Sequence, residues 1–239
     1  MGLQALLHLL YPPQCITCGV RVTSDFGLCG ECWRQTPFIS GLVCQHCGVS
    51  LPGEDDGGAL CDDCLSTARP WSAGRAAVMY KDNGRKLVLA LKHGDRLDLA
   101  RPAAEWMAKA AAPILRPGML VAPIPLHWLR LVKRRYNQAA LLSARVARLT
   151  GLDHCPDLLQ RRHSTGSQDG LTKNARFVNM SGALTLHPRH AARVAGRHIL
   201  LVDDVMTSGA TLAAGAEACV AAGAIGVSVL VMARVAKEA

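Results

Sequence analysis

The residues best suited to chemistry lie where one apolar run ends. Residues 199–202 are four consecutive apolar residues, and two carboxylates, Asp203 and Asp204, follow them directly. A turn of small and hydroxyl-bearing residues then opens an alanine-rich segment, and its members are Thr207, Ser208, Gly209, Ala210 and Thr211. Backbone amides at a helix start point outward with partial positive charge, so this turn is suited to a phosphate group.

The paired carboxylates indicate what the phosphate belongs to. Asp203 and Asp204 would repel a phosphate in the neighbouring loop, so they need a different ligand group. Hydrogen bonds to the vicinal hydroxyls of a ribose, whose 5-phosphate occupies the loop, satisfy both requirements. The alternative is an ordinary strand–turn–helix in which an aspartate caps the helix. Such a cap uses one aspartate, which favours the sugar-phosphate interpretation.

Four Cys-x-x-Cys pairs in the first 64 residues form a second chemical pattern. A two-residue spacer lets a tight turn direct both sulfurs at one metal ion, and two such pairs complete a tetrahedral site. We therefore expect two structural zinc ions, with the first two pairs on one ion and the last two on the other. An interleaved pairing is the alternative. The predicted ligands are Cys15, Cys18, Cys29, Cys32, Cys44, Cys47, Cys61 and Cys64.

Disulfides, redox-active dithiols and an iron–sulfur cluster are the other uses of such cysteines. Residues 3–10 are apolar but lack a basic leader and a small-residue cleavage site, so no secretory signal is predicted. They are also too few to span a membrane and fit a short amphipathic helix. We therefore expect a cytoplasmic protein with reduced thiols and no membrane span.

Charge and composition divide the chain into two unequal parts. Up to Arg75 there are four basic and seven acidic residues, whereas the remainder has 23 basic and 11 acidic residues, within a total net charge of +9. A polyanion is therefore attracted to the C-terminal part. Glycine, proline and acidic residues crowd residues 51–70. We expect a zinc ribbon domain over residues 1–70 and an α/β domain over residues 75–239.

The elements that must position the phosphate loop follow from the apolar pattern. Strands are predicted at 76–80, 119–124, 199–202 and 227–232, with a further short strand at 158–160. One helix is predicted to end near Gly94, and three more are predicted at residues 98–112, 137–149 and 211–222. Apolar runs separated by helices indicate a parallel sheet with helices on both faces. Ligands of such sheets bind beyond the carboxyl ends of strands, where the aspartates lie.

The acidic pair and the loop closely resemble the 5-phosphoribosyl diphosphate signature of the type I phosphoribosyltransferases. This resemblance implies that fold, with Asp203 and Asp204 on the ribose hydroxyls and residues 207–211 on the 5-phosphate. It also implies magnesium bound with the diphosphate, and a diphosphate-contacting loop for which residues 126–135 are the candidate. Within that loop we expect Arg135 to bind the diphosphate, because arginine can donate two parallel hydrogen bonds.

Other segments resemble the ComF family of competence-associated proteins over nearly the whole chain. They are Leu91-Lys92-His93-Gly94-Asp95, Arg134-Arg135-Tyr136-Asn137-Gln138, Gln168-Asp169-Gly170-Leu171 with Arg176 and Asn179, and the preceding double zinc ribbon. Ser208 stands where a second threonine is usual, His93 where tyrosine is common, and Tyr136 where phenylalanine often stands. The resemblance implies a link to DNA uptake during natural transformation.

As an enzyme, the protein would release diphosphate from C1 of the ribose and pass the sugar to a nucleophile. Asp203 and Asp204 would orient the ribose and stabilise positive charge on its ring. The sequence identifies neither a general base nor the acceptor. The part of the protein that recognises an acceptor base would come from residues 158–189 or from the zinc ribbons. The alternatives are a protein that handles single-stranded DNA within the DNA-uptake machinery, and a sensor that binds the metabolite without turnover. Few aromatic residues are available for the bases of DNA to stack on, and near the basic loop, residues 126–135, they are Trp128 and Tyr136.

Overall fold

A five-stranded parallel sheet forms the centre of the computed structural model, which describes residues 11–54, 57–93, 96–126, 132, 135–161 and 172–236. The strand order is β1-β7-β6-β2-β3, and every neighbouring pair is parallel. Two further strands, β4 and β5, form a separate antiparallel pair. The bounds are β1 Ala73–Met79, β2 Leu120–Pro123, β3 Asp153–His154, β4 Leu159–Arg161, β5 Leu184–Leu186, β6 His198–Met206 and β7 Gly226–Arg234.

Helices cover both faces of this sheet. Along the described chain they are α1 Gly30–Arg34, α2 Asp62–Leu65, α3 Asp82–His93, α4 Ala100–Ala111, α5 Gln138–Thr150, α6 Lys173–Met180, α7 Ala191–Val194 and α8 Ala210–Ala221. Single 3₁₀ turns occur at Leu97–Leu99, Ala112–Ile114 and Pro188–His190. Among the residues described, none of the helices has the length and apolar character needed to cross a membrane.

Burial on both faces explains the continuous apolar runs in the central strands. Leu200 and Val202 of β6 pack with α3, α4 and α5, whereas Ile199 and Leu201 pack with α8 on the opposite face. The β5 strand and α6 in turn pack against α8, so they form a further layer on that side. The predicted α/β class, a parallel sheet with helices on both faces, is therefore confirmed.

The local signals that fix element ends are confirmed most closely at α5. Asn137 caps this helix, with its side chain accepting a hydrogen bond from Ala139 N at 3.0 Å. Gly151 ends it in a left-handed conformation with φ of 67°, which glycine adopts without strain. The short strand predicted at 158–160 is also present, but it pairs with β5 outside the main sheet.

The strand predicted at 199–202 is longer than its apolar run. β6 continues through both aspartates to Met206, because β7 pairs with it from His198↔Gly226 to Met206↔Arg234. Aspartate has a low strand propensity, so the sequence pattern alone ends the strand too early. The two aspartates therefore belong to the strand β6 and not to the loop that follows it.

The cysteine-rich segment continues the sheet edge at β1. Gly74 N donates to Gln45 O at 2.8 Å, and Ile39 N donates to Ala77 O at 3.0 Å. The approach at Gly74 is so close that a Cβ atom there would lie 2.2 Å from His46 O. Cys44, Cys47 and Cys64 also lie in the same apolar cluster as Leu201. The two parts of the chain share one apolar cluster. The domain boundary predicted between residues 70 and 75 stays a prediction.

Candidate functional site

The eight cysteines of the four pairs form two separate clusters. Cys15, Cys18, Cys29 and Cys32 make the first cluster, and Cys44, Cys47, Cys61 and Cys64 make the second. Within each cluster all sulfur atoms lie within 4.8 Å of one another. The first two pairs thus share one site and the last two share the other, so the sequential arrangement is confirmed and the interleaved one is wrong.

The sulfur geometry fits tetrahedral zinc. The Sγ atoms of Cys18 and Cys29 are 3.7 Å apart, and those of Cys47 and Cys61 are 3.6 Å apart. A tetrahedron with zinc–sulfur bonds of about 2.3 Å has edges of roughly 3.8 Å. None of the eight cysteines is in a disulfide. The pKa of the Cys44 thiol is lowered because the thiols of Cys47 and Cys64 hydrogen-bond to its sulfur, which favours the thiolate that zinc requires.

Asp203 and Asp204 occupy the carboxyl end of β6, where their charges have different partners. Asp204 is buried, with 9% of its surface exposed, and one of its carboxylate oxygens lies 3.3 Å from Lys92 Nζ at the end of α3. Asp203 Oδ1 accepts a hydrogen bond from Asp204 N at 2.9 Å. The positive charges of Lys92 and Arg161 act on Asp203. The acidic pair is therefore held between cations from α3 and β4.

Crowding of these carboxylates disfavours a second negative charge. Burial, together with the neighbouring charge of Asp204, raises the pKa of Asp203 to about 7. The hydrogen bond from Asp204 N and the charges of Lys92 and Arg161 act in the opposite direction but do not cancel these effects. Near neutral pH, Asp203 is therefore present in both its neutral and its ionised form, and a ligand that donates hydrogen bonds favours the ionised one.

The phosphate loop, residues 207–211, joins β6 to α8 as the sequence predicted. Gly209 caps α8 in a left-handed conformation with φ of 83°, which is why glycine is required there. The hydroxyl of Ser208 accepts a hydrogen bond from Ala210 N at 3.4 Å. Thr207 is exposed, Thr211 is half-buried and Ala210 is buried. The loop thus offers two hydroxyls and the amino end of a 12-residue helix to a ligand.

Arg135 lies between β2 and α5, with its side chain exposed and with a left-handed φ of 63°. The residues after it are tied to the end of α3. Tyr136 Oη donates to Leu91 O at 2.8 Å, and Gln138 Nε2 approaches Lys92 O at 3.5 Å. Because Lys92 also pairs with Asp204, these contacts join Arg135 to the same rim of the sheet as the acidic pair.

The structure also identifies residues of this site that sequence reasoning missed. Lys92 was noted only as part of a family segment, although its position just before Gly94 marks the end of α3. Arg69 and Arg234 contact the phosphate loop from behind, with Arg69 Nη1 2.6 Å from Ser208 O and Arg234 Nη1 2.7 Å from Thr207 O. Arg69 lies beside the zinc ribbon and Arg234 at the end of β7, and neither position in the sequence indicates a contact with the loop.

Several predicted residues lie outside the part of the chain that the structure describes. They include Arg134 and most of the 126–135 loop, together with Gln168 and the segment 162–171. Arg176 and Asn179 are described and lie on α6. The buried Arg176 Nε and Asn179 Nδ2 atoms have no hydrogen-bond partner among the described residues.

Cys155, Asp157 and His190 form a third group of metal-ligand types. Asp157 Oδ1 accepts from His190 Nε2 at 2.9 Å, and its other oxygen accepts from Arg189. Both carboxylate oxygens thus have cationic or neutral donors from the same turn. Asp157 thus joins Arg189 and His190 in the turn before α7.

A family model described as a double zinc ribbon domain matches residues 6–73. This match agrees with the two four-cysteine clusters. Together with the parallel sheet, it shows a double zinc ribbon joined to an α/β domain with helices on both faces of its sheet.

The relatives make the assignment more particular. Competence protein F of Haemophilus influenzae is 28% identical over 205 residues, which cover 83% of this chain and 87% of that protein. DNA utilization protein YhgH of Escherichia coli K12 is 28% identical over 233 residues, covering 95% of this chain and 99% of that protein. The chain is a homologue of these two proteins, so the resemblance to the ComF family is confirmed.

Two solved structures are similar to part of the chain. The allosteric regulatory enzyme of purine biosynthesis has a TM-score of 0.40 at 16% identity, and covers 60% of this chain. Glutamine phosphoribosylpyrophosphate amidotransferase from B. subtilis, complexed with ADP and GMP, has a TM-score of 0.39 at 16% identity. The chain spans 30% of the length of each of these proteins.

Metal analysis of the purified protein is expected to find two zinc ions per chain. Cys47→Ser should reduce this to about one, because it removes a ligand of the second cluster. Cys219→Ser is the matched control and should retain two, since Cys219 is buried in α8 outside both clusters. A wild-type content of one ion or none would contradict the four-cysteine sites.

Asp203→Asn is expected to stabilise the free protein increasingly as pH rises. The folded pKa of Asp203, about 7, exceeds the unfolded value of about 3.9, so wild type loses stability between these two pH values. The gain of the variant should be near zero at pH 4 and at most about 4 kcal/mol at pH 8. Urea unfolding at a series of pH values measures this difference.

Asp98→Asn is the control of opposite sign. A side-chain hydrogen bond from Arg96 lowers the pKa of Asp98, so the ionised carboxylate is favoured in the folded protein. This substitution should therefore lose stability, or leave it unchanged, at pH 8. A pH-independent effect of Asp203→Asn would show that the Asp203 carboxyl is not under the electrostatic pressure described here.

Proposed function

We propose that this protein binds 5-phosphoribosyl diphosphate with magnesium at the carboxyl end of β6, as a phosphoribosyltransferase-type protein linked to DNA uptake. One observation carries the proposal. A central strand carries two adjacent carboxylates near its carboxyl end and leads, after Met206, into a left-handed turn at Gly209 that begins α8. A ribose 5-phosphate carries vicinal hydroxyls for the carboxylates and a phosphate for the turn on one molecule.

The carboxylates account for the ribose. Asp203 and Asp204 repel each other in a shielded environment, so hydroxyl donors that neutralise part of their charge are favourable ligands. Two adjacent ribose hydroxyls supply such donors. On this proposal, sugar binding lowers the pKa of Asp203 and takes up the repulsion that the free protein contains.

The loop accounts for the 5-phosphate. The amino end of α8 presents backbone amides with partial positive charge, and Thr207 and Thr211 add hydroxyl donors. Gly209 lets the backbone approach the phosphate closely. No acidic residue occurs between Met206 and Ala216, so the loop itself carries no opposing charge.

Lys92 and Arg135 are the candidates for the diphosphate. Both lie on the rim where α3 and the segment before α5 are hydrogen-bonded to each other. Magnesium prefers oxygen ligands, which the diphosphate and the neighbouring carboxylates provide. When bound, the ion would neutralise the departing diphosphate. Lys92 would then exchange its pairing with Asp204 for the diphosphate, which leaves Asp204 free for the ribose.

Turnover would require mainly positioning. Departure of diphosphate leaves positive charge on the ribose ring, and the ionised forms of Asp203 and Asp204 would stabilise that charge while fixing the sugar. The layer formed by β4, β5 and α6 would cover the acceptor. Its buried Arg176 and Asn179 provide donor groups for an acceptor or for the sugar.

Titration with 5-phosphoribosyl diphosphate and magnesium tests the binding proposal. Wild type should bind, whereas the double variant Asp203→Asn/Asp204→Asn should bind at least about tenfold more weakly, because each lost charge-assisted hydrogen bond contributes more than 1 kcal/mol. Asp153→Asn is the matched control, since Asp153 begins β3 at the opposite end of the sheet and pairs with Arg197. Equal affinity of wild type and the double variant would contradict the proposal.

The same samples separate an enzyme from a sensor. Release of diphosphate in the presence of any member of a nucleobase panel would establish a phosphoribosyltransferase. Binding without release across the panel would favour metabolite sensing or a role in handling DNA.

A direct interaction with single-stranded DNA is the second candidate function. It is favoured by the names of the relatives, competence protein F and DNA utilization protein YhgH, and by the 23 basic against 11 acidic residues after Arg75. Basic residues that replace counterions on the phosphates make such binding salt-dependent. The basic loop that includes Arg135 is the proposed contact.

Binding of a single-stranded oligonucleotide should weaken steeply with salt, and Arg134→Ala/Arg135→Ala should weaken it further and reduce the salt slope by about 2. Arg116→Ala/Arg148→Ala removes the same charge from exposed positions away from the loop, and is the control. Affinity that responds equally to both double variants would show a general charge effect, and insensitivity to salt would exclude the electrostatic contact.

A further inference from the structure

Two buried arginines hold the carbonyl groups of the phosphate loop. Arg69 Nη1 donates to Ser208 O at 2.6 Å. Arg234 Nη1 donates to Thr207 O at 2.7 Å and to Met206 O at 3.2 Å. Their side chains are 0% and 5% exposed, respectively. Three consecutive carbonyls, those of residues 206–208, therefore accept hydrogen bonds from guanidinium groups.

Both arginines converge on one carboxylate of the second zinc ribbon. Asp63 Oδ2 accepts from Arg69 Nη2 at 2.8 Å and lies 3.7 Å from Arg234 Nη2. Asp63 stands in α2 between Cys61 and Cys64, which are ligands of the second cluster. Two guanidinium groups buried this deeply need a counter-charge, and Asp63 provides it from the zinc ribbon.

The peptide geometry connects these contacts to ligand binding. In a planar trans peptide the C=O and the following N–H point in opposite directions. With Thr207 O and Ser208 O directed at the arginines, the N–H groups of Ser208 and Gly209 face away from them. Among the described residues no backbone carbonyl accepts a hydrogen bond from either N–H. Ser208 and Gly209 are buried residues, and their amides point away from the arginines. On the proposed function, these are the amides that the 5-phosphate would contact.

The chain between the second ribbon and β1 adds a steric restraint. A Cβ atom on Gly209 would lie 2.8 Å from Arg69 Nη1 and 3.2 Å from the ring of Trp71. Trp71 is in turn fixed, because its Nε1 donates to His46 O at 2.6 Å. The loop therefore rests against a surface formed by residues 69–71, which the second ribbon holds in place.

We propose that Asp63, Arg69 and Arg234 are positioning residues through which the second zinc ribbon sets the orientation of the phosphate loop. This inference rests on the proposed function for its ligand, but the orientation of the loop is a property of the free protein. The ribbon then acts on the affinity for the 5-phosphate without touching it. The first ribbon has no such part.

The first ribbon supplies a matched control. Glu31 stands between Cys29 and Cys32 as Asp63 stands between Cys61 and Cys64. Its carboxylate pairs with Arg34 and accepts from Gln35 Nε2 at 2.7 Å, both within the same ribbon and both exposed. Glu31→Gln therefore removes an equivalent charge beside a zinc ligand without reaching the phosphate loop.

The experiment compares Asp63→Asn with Glu31→Gln in the full-length, zinc-loaded protein. Hydrogen exchange of the Ala213 amide, which donates to Gly209 O at 2.8 Å where the loop enters α8, should be about tenfold faster in Asp63→Asn and unchanged in Glu31→Gln. Affinity for ribose 5-phosphate should fall about tenfold in Asp63→Asn, while affinity for inorganic diphosphate should stay within about twofold of wild type. A purely structural loss would lower both affinities together.

Zinc content and a second variant complete the test. Asp63→Asn should keep two zinc ions per chain. If Asp63→Asn loses one zinc ion, Arg69→Lys tests the positioning role instead. Lysine keeps the charge but cannot join Asp63 to Ser208 O with two donors in one plane. Arg69→Lys is therefore expected to give the same changes in exchange and affinity. Unchanged exchange of the Ala213 amide in both variants would overturn the inference. Absence of any ligand binding by wild type would instead contradict the proposed function, and the exchange data would still decide the positioning role.

Discussion

Two adjacent carboxylates, Asp203 and Asp204, lie near the carboxyl end of β6 in surroundings shielded from water. The positive charges that offset their negative charge govern the arrangement around them. Lys92 at the end of α3 and Arg161 on β4 bring positive charge from opposite faces of the sheet. The balance is incomplete, since Asp203 still titrates near neutral pH. A free protein that keeps this repulsion is poised for a ligand with hydroxyl donors, because binding then relieves a cost that folding left in place.

Positive charge behind the phosphate loop serves a different purpose. Arg69 and Arg234 contact carbonyl oxygens rather than a ligand, so they act on the direction of the peptide groups. Asp63, which stands between two cysteines of the second cluster, supplies a counter-charge to both. The small ribbon contains few core residues of its own, so zinc and the packing against β1 must supply its stability. The same packing makes the ribbon part of the site.

The sequence predicted most of the fold because the helices and strands carry strong local signals. Asn137 and Gly151 delimit α5 as expected, and the apolar runs mark the central strands. It placed the end of β6 too early, because pairing with β7 carries the strand through two residues of low strand propensity. It also left the partner of the short strand at 158–160 unknown, since antiparallel pairing with β5 joins residues about 25 positions apart.

Residue types and spacing by themselves determined the four Cys-x-x-Cys pairs, the acidic pair and the loop at residues 207–211, since each is a contiguous motif whose chemistry depends on neighbours in the chain. Tertiary structure alone decided which cysteine pairs share an ion, that Lys92 meets Asp204, and that Asp63, Arg69 and Arg234 meet behind the loop. These contacts join residues separated by up to 171 positions. Such pairings depend on how the elements pack, and a charged side chain in a sequence carries no mark of the partner that packing will bring to it.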